Sequence, residues 1–138
     1  MITDSIIQAA VQRLKNAASP AKIILFGSYA RGDASEDSDL DFLVIEHSLQ
    51  SQRAEMVRLR DVLRPMRIPV DVLVTSVEKV REWGDLPGTV LYEALHEGKV
   101  RYCENQDFLY DVARNTVKNF DSFKHRYYDY IGVRVITC

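Results

Sequence analysis

Ile6, Ile7, Ala10, Val11, Leu14 and Ala18 recur at helical spacing, which predicts an amphipathic helix over residues 4–18 with Thr3 or Asp4 as its N-cap. Ser19-Pro20 ends it, and residues 22–26 form a short β-branched and aromatic run of buried-strand type. After a turn rich in Asp and Ser, residues 40–45 repeat that pattern. Helical spacing returns over 50–64 through Met56, Leu59 and Leu63, and Pro65 stops it. Residues 70–74 predict a third strand. Ser76 caps a short helix to about Trp83, Gly84 to Pro87 breaks it, and Val90, Leu91, Ala94 and Leu95 mark another helix closed by Gly98. The expected order is α-β-turn-β-α-β-α-α, an α+β fold of α/β-like character: a small mixed sheet flanked by helices.

Residues 1–103 carry all of these elements and are expected to form one domain. Residues 104–138 read as a C-terminal helical extension, because Phe108, Val112, Phe120, Phe123 and Tyr127 give it an aromatic side. That stripe packs either on the domain's own core or on a partner, and the pattern does not choose between them.

Composition narrows the function classes. The chain of 138 residues has 46% hydrophobic and 28% charged residues, which is ordinary for a globular protein. With a formal net charge of −2, nucleic-acid contact would need a local basic patch. Arg53, Arg60 and Arg64 share a helix face, but Glu55 and Asp61 stand three residues before Arg58 and Arg64, the spacing of ordinary helix ion pairs. A solvated face is therefore expected, without direct nucleic-acid binding. The N-terminal segment carries Asp4, Arg13 and Lys15 within its apolar period, so neither a signal peptide nor a membrane span is expected there. Cys103 and Cys138 lack zinc-ligand spacing and read as incidental thiols of a reduced, cytoplasmic chain.

The chemistry concentrates in GSYARGDASEDSDLDFLV, residues 27–44. A strand period of two puts Asp39 and Asp41 on one face and Leu40 and Phe42 on the other. Two carboxylates side by side repel, and the usual compensation is a divalent cation; oxygen-only ligands favour magnesium or manganese. A strand end with merely solvated acids is the plainer alternative. Upstream, Gly27-Ser28 follows the first strand directly, and Tyr29-Ala30-Arg31 can form one helical turn closed by Gly32. Glycine admits close backbone approach to a phosphate, N–H groups at a helix start attract anions, and Ser28 and Arg31 add donors. No G-x-x-x-x-G-K-[ST] is present, so this is not a Walker-type loop. A phosphate cradle beside an acid pair suggests a nucleoside triphosphate bound through its metal.

Gly27-Ser28, ten residues, then Asp39-x-Asp41 resembles the hallmark of the DNA polymerase β-like nucleotidyltransferase superfamily. The fuller GSYARG…SDLD is similar to its minimal nucleotidyltransferase branch, often encoded beside a HEPN-domain toxin. The resemblance implies a third carboxylate on a neighbouring strand. Asp71, alone in the apolar run of residues 69–74, is the candidate, since a buried unpaired carboxylate needs a partner. Pairing with Arg67 or another arginine is the alternative. The resemblance further implies that Asp39, Asp41 and Asp71 are catalytic and hold two magnesium ions, with manganese as a substitute, and that Gly27, Ser28 and Arg31 bind the nucleotide. AMP would pass from ATP to a tyrosine of a cognate HEPN toxin, silencing it and making this chain the antitoxin, in a hetero-oligomer with the toxin. A contact-only antitoxin with a vestigial site, and a small-molecule transferase of the aminoglycoside-modifying kind, are the rival readings.

Overall fold

The computed structural model describes residues 1–104; the predicted aromatic helix of the extension lies outside them. Helix α1 (Asp4–Ala18) starts at Thr3, whose hydroxyl accepts from the Ile6 N–H, and ends at Ser19 in the left-handed conformation. It leads into β1 (Lys22–Phe26), a single turn α2 (Ser28–Arg31), β2 (Leu40–Glu46), α3 (Gln52–Leu63), a 3-10 turn at Arg64–Met66, β3 (Val70–Ser76), α4 (Val77–Trp83), α5 (Val90–Glu97) and β4 (Lys99–Cys103). Ser51, Ser76 and Thr89 cap α3, α4 and α5 through their hydroxyls.

The four strands form one mixed sheet in the order β3-β2-β1-β4. Strand β1 runs antiparallel to both β2 and β4, whereas β2 and β3 are parallel and joined through α3, the connection a parallel pair requires. Alternation along the strands sends residues to two apolar layers. Leu25, Phe42, Val44, Val72 and Val74 join Ala10, Leu14, Leu59 and Leu63 in one cluster beneath α1 and α3. Ile24, Phe26, Leu43 and Ile45 meet Val80 and Ala94 in the other, beneath α4 and α5. Each fully buried leucine of this kind contributes about 1.5–3 kcal/mol from the water it leaves.

Strand β4 was not expected. Its run Lys99-Val100-Arg101-Tyr102-Cys103 mixes charge with apolar residues: among the described residues it is the edge strand beside β1, and edge strands show weak patterning. Gly98 does precede it at the end of α5, but in extended conformation (φ −74°, ψ 164°), not left-handed. Glycine is needed there for space: a Cβ would collide with the Ala94 carbonyl oxygen and the Ile24 side chain. Among the described residues no helix is long and apolar enough to cross a membrane.

Candidate active site

Phe26, the last residue of β1, stands in register opposite Asp41 of β2, and Asp41 stands in register opposite Asp71 of β3. Adjacent strands lie roughly 4.8 Å apart, so the two carboxylates leave neighbouring backbones on the same face of the sheet. That is the face covered by α4 and α5, whose apolar cover takes up Leu43 and Ile45 further along β2. The acids therefore occupy the end of this sheet face that the described helices leave uncovered. A hydrogen bond from the Leu40 N–H to the Pro69 carbonyl (2.9 Å) fixes the two strand starts together.

Gly27 prepares this corner. Its backbone (φ 74°, ψ −156°) lies in a region essentially reserved for glycine, and a Cβ would run into Oδ2 of Asp41. The chain can turn from β1 into α2 at this point and still let the Asp41 carboxyl lie against its backbone only because the position is bare. The Gly27 carbonyl accepts from the N–H groups of Ala30 (3.1 Å) and Arg31 (3.0 Å), closing the predicted helical turn, and Gly32 follows as its C-cap. Ser28, half-buried, opens that turn directly after Gly27, the residue against which the Asp41 carboxyl lies.

Burial pushes the Asp41 carboxyl above its ordinary value, and the neighbouring charges of Asp71, Asp39 and Glu93 push it further, with Arg31 pulling the other way. Asp39, exposed, stands just before β2. Asp71 is also exposed, because β3 is an edge strand. This corrects the expectation of a buried carboxylate that burial cost forces into a partnership. Neither Arg67 nor another arginine forms an ion pair with it among the described residues. The structure thus brings Asp39, Asp41 and Asp71 to one edge beside Gly27 and Ser28.

Arg31 points elsewhere than a bare phosphate cradle would have it. Its Nε donates to Asp33 Oδ2 (3.3 Å) and its Nη1 to Glu93 Oε1 (3.5 Å). Glu93, on α5, was not anticipated. It stands 62 residues from Arg31 in sequence and belongs to no motif, so only the fold reveals it. The donor set is all oxygen, and the acids' mutual repulsion is only partly offset by Arg31, which suits a hard divalent cation. As the side chains stand, no three such groups are gathered closely enough to close around an ion among the described residues. Beyond Asp71 on β3, a cleft of about 290 Å³ is lined by Leu73, Trp83, Val90 and Leu91 among others, with Trp83 and Val90 half exposed.

This sheet, with its glycine-serine turn and acid-bearing strand starts, is the polymerase β-like nucleotidyltransferase fold. Residues 5–106 match the nucleotidyltransferase domain family, and the chain belongs to it. Over 42 residues it is 55% identical to "Putative protein adenylyltransferase MJ1305" of Methanocaldococcus jannaschii, covering 30% of this chain and 29% of that protein. The matched segments span between 24% and 56% of the lengths of its curated relatives. Among solved structures it is similar to a "putative nucleotidyltransferase from Sulfolobus solfataricus" (TM-score 0.52, 16% identity, 72% of this chain and 79% of that one). It is also similar to a chain of a "toxin-antitoxin with AMP-PNP" (TM-score 0.51, 20% identity, 86% and 87% covered).

Proposed function

We propose that this protein is a magnesium-dependent nucleotidyltransferase that moves AMP from ATP onto a protein hydroxyl, the tyrosine of a cognate HEPN toxin, and so serves as its antitoxin. The observation that carries the reading is the register of Asp41 against Asp71 beside a glycine whose missing side chain leaves room for the Asp41 carboxyl. A carboxylate pair at the uncovered end of a sheet, next to a turn suited to anions, fits a triphosphate that arrives with its counter-cation.

Gly27 admits the phosphates close to the backbone, and Ser28 and Arg31 donate to their oxygens. Asp39, Asp41 and Asp71 would hold magnesium, which when bound neutralises the triphosphate and stabilises charge on the attacking and leaving oxygens. The acceptor approaches from the β3 side, the strand that carries Asp71 and, further along, lines the cleft beside Trp83 through Leu73 and Thr75. Asp71 draws the proton from the acceptor hydroxyl, whose oxygen bonds to the α-phosphorus. The bond from that phosphorus to the β-phosphate bridging oxygen breaks, and pyrophosphate leaves. The names of the relatives, a protein adenylyltransferase and a toxin–antitoxin with AMP-PNP, support the acceptor class and the partner.

The test of the nucleotide site is thermal. A ligand of the native state stabilises by about 2.7 kcal/mol at a hundredfold excess over its Kd. ATP should raise the melting temperature more with magnesium than with EDTA. The Asp39→Asn, Asp41→Asn double variant should stay folded and lose that increment; an unchanged increment would remove the acids from the site.

A further inference from the structure

We propose that Glu93 is a positioning residue: it holds Arg31 before nucleotide binds and gives it up to the triphosphate, an inference that rests on the nucleotidyl-transfer reading. Arg31 closes α2, and its guanidinium fork is divided between Asp33 on the following turn and Glu93 on α5. Asp41 also senses its charge. The fork is thus split between two carboxylates, at 3.3 and 3.5 Å, and neither pairs with it bidentately.

The Glu93 link is built to be given up. It is long at 3.5 Å, and its two side chains are 43% and 44% exposed, so water and salt screen it. A triphosphate offers the same fork paired, charged oxygens, which make shorter and stronger bonds. Arg31 need only turn about its own side chain, since α2 is fixed by the Gly27 and Ser28 carbonyls. The backbone that carries Glu93 cannot follow it. Its neighbour Ala94 is fully buried in the cluster with Ile24 and Phe26, Thr89 caps the start of α5, and the close approach at Gly98 pins the end. Glu93 therefore competes with the phosphates for Arg31 from a fixed place, and this competition sets how tightly the nucleotide is held.

The experiment is calorimetric titration of the full chain with ATP and magnesium. The parent is compared with Glu93→Gln, Glu93→Asp, Arg31→Ala, and Glu93→Gln combined with Arg31→Ala. Freed from its competitor, Arg31 should bind the triphosphate about two- to fivefold more tightly in Glu93→Gln, the range a screened ion pair allows. Glu93→Asp, one methylene too short to keep the 3.5 Å link, should gain similarly with its charge retained. In the Arg31→Ala background the gain should vanish. A gain of equal size without Arg31, or no gain in either single variant, overturns the proposal while leaving nucleotide binding standing. A parent that binds no ATP overturns the functional reading and this proposal with it.

Discussion

At Gly27 two demands meet in one residue. The backbone conformation is one that side chains rarely tolerate, and the space for a Cβ is taken by Asp41 Oδ2. Gly27→Ala should therefore cost about 1–3 kcal/mol in stability from the backbone alone. It should also displace the Asp41 carboxyl, so ATP affinity falls by more than the stability loss explains. Denaturant unfolding and ATP titration of the same variant separate the two effects. Ser28→Ala keeps the backbone and loses one hydrogen bond to a charged group, roughly 1.5–3 kcal/mol of binding, with little change in unfolding.

At the scale of elements, the joint between β2 and α3 carries a second acid cluster with a different task. Glu46 ends β2 in the interior, 8% exposed, and its carboxyl is pushed up from 4.5 to about 8 by burial, then by its hydrogen bond to Glu55 and that residue's charge. Glu55 is held low, chiefly by its hydrogen bonds from Arg58. The folded chain thus keeps a proton on Glu46 that the unfolded chain releases near pH 4.5. Between about 4.5 and 8 the native state binds more protons than the unfolded state, so this contribution is whole below 4.5 and is lost as pH rises through 8. Glu46→Gln, which cannot ionise, should flatten that decline, seen as a smaller pH dependence of the unfolding midpoint. Neither this pair nor strand β4 was visible in the chain's pattern. A proton shared between two acids depends on which helix lands on which strand, and an edge strand shows only half an alternation. Elements with both a full apolar stripe and a capping residue, such as α1 with Thr3 and Leu14, were legible from sequence.

Across the whole molecule the sheet order turns a sequence motif into a site. The string from Gly27 to Asp41 was readable because its parts are local: a turn, a spacer and a strand start. Asp71 was readable only through resemblance, because on β3, an edge strand among the described residues, its carboxylate is exposed and carries no burial cost that would mark it. Glu93 was not readable at all, since α5 reaches the site through packing of Ala94 and no local signal marks its neighbour. The parallel pairing of β2 and β3 is what makes two distant aspartates neighbours, and it is the reason to expect chemistry here and not mere charge. The direct measurement is intact mass of the candidate toxin after incubation with ATP, magnesium and either the parent or Asp71→Asn, alongside its residual toxicity. A transferase adds one or more AMP masses with the parent only, in step with loss of toxin activity, while Asp71→Asn stays folded and transfers slower by orders of magnitude. Equal silencing by both proteins with no change in mass would contradict nucleotidyl transfer.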